Sequence, residues 1–266
     1  VKQKHPLDSA KLKVKRANAH IETLERSINR LLNPQVSVRK AGELKGLGDV
    51  VAVSIEAKLH ENWPLMVGDI LANLRASLDH IAWALAIKHA SDGKRTLTSD
   101  EETSIVFRLR GRRLPSKDAF IGGLNWNDVR LFPPSAHAKI EEFQPYHRRN
   151  RPKNGMLGDL GDLANWDKHR IVTPALVNAK VTLSKDDTGI TAIGIHNKRE
   201  PMLMAPGMFL SPTGTAKTVD QLEPKLTPSV VVYPRGNHFR GFDVREFALV
   251  HDFIRDEVIP SFADFF

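Results

Sequence analysis

Between residues 64 and 89, PLMVGDILANLRASLDHIAWALAIKH, the apolar residues Val67, Leu71, Leu74, Leu78, Ile81 and Leu85 recur at alternating steps of four and three. That spacing places their side chains on one side of an α-helix. With Leu74 at zero and about 100° per residue, the seam centres near ~20°, and Ala72, Ala76, Trp83 and Ile87 fall between about 160° and 220°. A helix apolar on two opposite sides is predicted to be a central one. Arg75 and Asp79 occupy one polar shoulder and Asn73, Ser77 and His80 the other. At a separation of four, Arg75 and Asp79 can pair, and the simplest reading is that they satisfy each other in a half-buried place.

The same spacing, in Val14, Ala17, Ile21, Leu24, Ile28 and Leu31, predicts a helix over residues 8–32, capped by Asp8 or Ser9 and ended by Asn33 and Pro34. Gln35–Ala41 and the alternating Val51–Leu59 predict a hairpin with Gly46 and Gly48 in its turn. A short strand is expected over Ile105–Leu109, and helices over Ser135–Phe143 and residues 155–172. Short apolar runs divided by Gly, Pro, Asn and Asp then predict an antiparallel β segment over about 173–234. A helix near Val244–Val258 closes the chain, stopped by Pro260 and followed by Phe262, Phe265 and Phe266, a tail too apolar to leave in water. The expected architecture is an α+β single domain over 1–266: a helical bundle around the long central helix (about 64–89), an N-terminal hairpin, the β segment and a C-terminal helix at 243–262 packing back on the bundle.

With 41% hydrophobic and 26% charged residues and no low-complexity tract, the chain has the composition of a globule and not of a disordered segment. It has no cysteine, which excludes disulfides, thiolate catalysis and Cys-based zinc sites. Asp69, Arg75, Asp79 and His80 inside the longest apolar helix argue against a membrane span. The first residues, VKQKHPLDSAKLKVKR, lack the apolar core of a secretion signal, so a cytoplasmic location is expected. A net charge of +8 favours polyanionic partners, RNA among them.

That charge is concentrated in two stretches. Arg108, Arg110, Arg112, Arg113 and Lys117 lie within ten positions, and the loop QPYHRRNRPKNG carries Arg148, Arg149, Arg151 and Lys153 beside Tyr146. Basic side chains next to an aromatic ring suit a single-stranded nucleic acid, whose phosphates seek charge and whose bases seek a ring to stack on. Arg110, Arg112, Arg113, Tyr146, Arg148, Arg149, Arg151 and Lys153 are therefore the candidate nucleic-acid-binding residues; a solvated loop would have the same composition.

The blocks VGDILANLRASLDHIAWAL, EEFQPYHR, LGDLANWDKHRIV and VHDFIRDEVIPSFADFF, in this order from residue 64 onward, resemble a widespread family of uncharacterised bacterial proteins. The resemblance implies an intracellular protein with helices flanking a β-rich segment, and no activity. More distantly, Arg75 and His80 in RASLDH resemble the Arg-then-His signature of HEPN domains, helical modules many of which cut RNA without metal. That resemblance implies His80 as general acid or base, Arg75 as phosphate clamp, Asp79 orienting Arg75, and a homodimer with a composite cleft. The chemistry fits, since an imidazole can take the proton of a ribose hydroxyl while a guanidinium holds the developing charge. Ala76 departs from the polar residue usual after the Arg. On a continuous helix Arg75 and His80 point about 140° apart, so they would meet around a phosphate held between two chains, or through a break in the helix.

A second polar cluster, NWDKHR, offers Asn165 and His169, which could face His80 across the bundle; basic residues complementing a helix C-terminus would read the same way. No metal-binding spacing, glycine-rich phosphate loop or nucleophile elbow is present, and no cofactor is expected. The leading expectation is an RNA-binding protein with HEPN-like metal-independent endoribonuclease activity, with Arg75, Asp79, His80, Asn165 and His169 as its catalytic candidates. The alternatives are a non-catalytic nucleic-acid- or protein-binding module, and a small-molecule or metal enzyme built on the His80 and His169 region.

Overall fold

The seam of the first helix folds as α1 (Asp8–Leu31) and that of the longest one as α2 (Trp63–Asp92), in a computed structural model. The structure describes residues 5–31, 35–44, 48–56, 60–169, 173–183, 191–192, 207–210, 224–233 and 242–266, with side chains over 5–30, 60–168 and 242–266. Five further α-helices follow among the described residues: α3 (Ser99–Ser104), α4 (Trp126–Val129), α5 (Pro134–Glu142), α6 (Lys153–His169) and α7 (Val244–Phe253). No helix among the described residues is long and apolar enough to cross a membrane. The chain divides into two compact units, Val1–Glu22 with Leu65–Ile171 and Arg245–Phe266, and Thr23–Pro64 with Val172–Val244.

The first unit is a helical bundle. Val14, Ala17 and Ile21 of α1 and Val67, Leu71, Leu74, Leu78, Ile81 and Leu85 of α2 are buried, as the removal of apolar surface from water requires. The opposite side of α2 departs from the expectation of a helix covered on both faces: Trp83 and Ile87 are 42% and 44% exposed, and Ala72 is exposed. No neighbour among the described residues covers Trp83, Ile87 or Ala72 there. The C-terminal aromatics dock on the bundle. Phe262 is fully buried, edge-on to Phe107 and tilted against Phe143, which also meets Phe253.

Two local departures have backbone causes. Ile105–Leu109 belongs to no strand, and the backbone groups of Phe107 and Arg108 are taken by side chains. Phe107 N–H donates to Asp79 Oδ1 and Phe107 O accepts from Arg75 Nη2, while Gln144 Nε2 donates to Arg108 O. The last helix is α-helical only to Phe253; Ile254–Val258 is a π turn in which Ile259 N–H reaches Ile254 O. Pro260 has no N–H to offer Asp256 O and its ring crowds that carbonyl, so the helix widens by one residue before a 3₁₀ segment at Pro260–Phe265. In α6, Gly158 and Gly161 lower helix propensity but permit close packing: a Cβ on them would lie 3.1 Å from Pro145 and 3.3 Å from Leu109.

In the second unit Trp63 Nε1 donates to Ser27 Oγ, and Leu24, Ile28 and Trp63 are buried. The backbone of β1 (Gln35–Leu44) pairs antiparallel with β2 (Gly48–Glu56), Gln35 opposite Glu56, with an irregularity between Lys40 and Gly42. Farther along run β3 (Thr173–Leu183), β4 (Thr191–Ala192), β5 (Gly207–Leu210), β6 (Pro224–Tyr233) and β7 (Phe242–Asp243). β5 lies on β2, and the other four take the order β4, β3, β6, β7. The remainder of the β segment expected over 173–234, at 184–190, 193–206 and 211–223, lies outside the described residues, as does Gly46 of the expected turn.

Candidate functional site

α2 runs unbroken through Arg75 and His80, so the helical break that would let them meet within one chain does not occur. Arg75 Nη2 lies 3.1 Å from Asp79 Oδ1 and 2.7 Å from Phe107 O, and the same Asp79 oxygen accepts Phe107 N–H at 3.0 Å. The pair thus clamps the N–H and C=O of a single residue, Phe107, as a partner strand would. Burial pulls the Arg75 guanidinium below its usual value; Asp79 opposes the shift and Arg108 adds to it. An arginine this enclosed, with its carboxylate turned to a backbone amide, is spent on structure.

His80 is half-buried on the other shoulder and makes no hydrogen bond or ion pair among the described residues. Burial pushes its imidazole below the ordinary value; Lys13 of α1 adds to this and Asp79 opposes it. Asn73 and Ser77, on the same shoulder, return their side chains to their own helix, at Asp69 O and Leu74 O. Asn165 is exposed on α6. The side chain of His169, and Arg170 after it, lie outside the described residues. Asp167, on the same helix, comes close to Gly68 of α2, and its carboxyl is raised above the usual range by burial and by Asp69. Among the described residues no three histidine, aspartate or glutamate side chains gather as a metal site would require.

The basic residues fall into two groups. Arg110 forms a fork with Asp128, 2.7 and 2.8 Å to its two oxygens, and this hydrogen bonding raises the guanidinium further. Arg113 lies over the Tyr146 ring, 5.2 Å from its centroid and 3.9 Å from Glu141. Arg151 pairs with Glu142, and Lys153 pairs with Glu257 and lies over Phe253. Arg112, Arg148 and Arg149 are exposed, and their side chains make no hydrogen bond or ion pair among the described residues.

Tyr146 is not the free stacking platform its place in the loop implies. Its hydroxyl donates to Glu141 Oε1 and accepts Gly123 N–H, and Arg113 covers the ring. Burial, with Glu141 next, raises the phenol well above its ordinary value. The ring instead joins the two basic loops. Gln144, fully buried, makes the same join with its side-chain oxygen on Arg110 N–H and its nitrogen on Arg108 O and Ile140 O. Asn154, from the start of α6, donates to Glu142 O and Gln144 O.

Asp128, Glu141, Gln144 and Asn154 set this surface and were not among the sequence candidates. Asp128 left one signal: it stands three after Asn125 in a capping box, with each side chain bonded to the other's backbone N–H. The other three are polar residues whose partners are distant in sequence. No protein-family model, curated protein or solved structure matches the chain.

Proposed function

We propose that the protein binds single-stranded RNA, without cleaving it through Arg75, on the basic surface formed where the 108–113 loop meets the 144–151 loop. The observation that carries this reading is the junction of the loops. Arg113 on Tyr146 and Gln144 on the 108–110 backbone bring together segments far apart in sequence, and Arg112, Arg148 and Arg149 stay exposed with no carboxylate partner among the described residues. Unpaired arginines gain most from a phosphate, since no existing ion pair must be broken. With the Tyr146 ring covered, contact runs to the backbone and is indifferent to base identity. In this reading the protein is cytoplasmic, and an antiparallel β segment over 173–234 completes its α+β fold.

Fluorescence anisotropy with a labelled single-stranded RNA tests it. Affinity should fall steeply with salt, at about 0.7 log units per log unit of salt for each phosphate contacted. Replacing Arg112, Arg148 and Arg149 by Glu should abolish binding and leave the melting temperature in place. Salt-insensitive binding, or binding that survives the triple reversal, would end the proposal; tighter binding of an acidic peptide would point to a protein partner.

One observation favours a cleaving variant of this reading: His80 is held toward its neutral form and has no bonding partner among the described residues, as a general base requires. A second chain would have to supply the phosphate clamp, making the active species a homodimer. Cleavage of an RNA pool in chelator, lost in His80→Ala at unchanged stability, would support it; an intact pool with both proteins would dismiss it.

A further inference from the structure

The first turns of α1 and the end of the chain, both in the first unit, border an open-sided cavity of about 600 Å³ remote in sequence from the basic loops. Its lining is one-sided in chemistry. Its accessible apolar lining includes Pro260 and Ala263, which are exposed, with Leu7, Val14 and Ile259 almost wholly buried behind them. Lys11 and Lys15 stand one turn apart on α1, Arg255 comes from the π turn, and no acidic residue is among the described residues that line the space. Their charges are unequally available. Arg255 is held by Asp252 and Asp256, and Lys11 has Asp8 3.8 Å away. Lys15 makes no hydrogen bond or ion pair among the described residues.

A concave space of this size is in the range that holds small molecules. The apolar wall disfavours a fully hydrated ion, since burying apolar surface is the gain the wall offers. The lysines disfavour a neutral hydrocarbon less than they favour an anion, because an anion adds a charge-assisted hydrogen bond at the mouth. We propose that this cavity binds a small amphipathic anion, an apolar chain bearing one carboxylate, with Lys15 and Lys11 on the carboxylate and the chain against Pro260 and Ala263. Arg112, Arg148 and Arg149 are not among the residues that line it, so either proposal can fail alone.

Calorimetric titration of the full chain with decanoate, decan-1-ol and acetate tests it. Decanoate should bind at one site per chain, about tenfold more tightly than decan-1-ol, and acetate should not bind. Lys11→Gln with Lys15→Gln should weaken decanoate about tenfold and leave decan-1-ol unchanged. Both lysines are exposed, so folding should survive; Ala263→Trp, which fills the cavity from its exposed rim, is the second variant and should abolish both. Equal affinity for acid and alcohol, decanoate binding that ignores both variants, or no saturable binding below about 1 mM would each overturn the assignment. A saturating single-stranded RNA should leave decanoate binding unchanged; displacement would mean the acid sits on the arginine surface and would overturn it too.

Discussion

Asp79→Ala separates a structural role from a catalytic one. In the folded protein Asp79 Oδ1 accepts two hydrogen bonds, from Phe107 N–H at 3.0 Å and Arg75 Nη2 at 3.1 Å. Alanine leaves a backbone N–H without its partner and an arginine, 15% exposed at its side chain, without its counter-charge. Hydrogen bonds to charged groups contribute about 1.5–3 kcal/mol each, and breaking a fully buried ion pair costs about 3–5 kcal/mol. Asp79 is 32% exposed at its side chain, so water recovers part of that loss and the net should be about 3 kcal/mol. For a chain of this size that lowers the melting temperature by roughly 6–12 °C. Asp79→Asn keeps an oxygen for Phe107 N–H and should lose about 1 kcal/mol. Urea unfolding of Asp79→Ala, Arg75→Ala and the double variant should show a coupling of about 1–2 kcal/mol. If Asp79→Ala unfolds within about 0.5 kcal/mol of the parent while an RNA-directed activity disappears, the clamp is not structural.

Three further outcomes follow from the same geometry. The folded-state pKa of His80 lies below its unfolded value of about 6.5, so its contribution to stability is present above that value and lost as pH falls through the folded one; the drop in urea midpoint on going to low pH should be smaller in His80→Gln. Tyr146→Phe removes the bonds to Glu141 and Gly123 and should lower stability by about 1–2 kcal/mol with RNA affinity unchanged. Because its phenol is raised in the folded state, the parent's stability should also decline as pH passes about 10, a decline that Tyr146→Phe lacks. Asp167 is raised by burial and Asp69, so its contribution is present below its unfolded value of about 4 and lost at neutral pH; Asp167→Asn should raise the melting temperature at pH 7, with the gain vanishing near pH 4, and a loss at pH 7 would refute the repulsion.

What the sequence determined by itself is what depends on neighbours three or four residues away. The seams of α1 and α2 were readable because a helix repeats every 3.6 residues whatever surrounds it, and the Arg75–Asp79 pair because i and i+4 share a face. Pro260 announced the end of the last helix for an equally local reason, the missing N–H. Tertiary structure decided the rest. Whether Trp83 and Ile87 would be covered depended on a neighbour that periodicity does not reveal. The apolar run at 105–109 looked like a strand, and its ladder bonds went instead to side chains of α2 and to Gln144, which only folding brings near. Of eight residues read as nucleic-acid-binding, Arg112, Arg148 and Arg149 have no side-chain partner among the described residues, and the others take partners from elsewhere in the chain. Charge is written in the sequence; its availability depends on which carboxylates and rings arrive beside it, and that is settled by long-range packing.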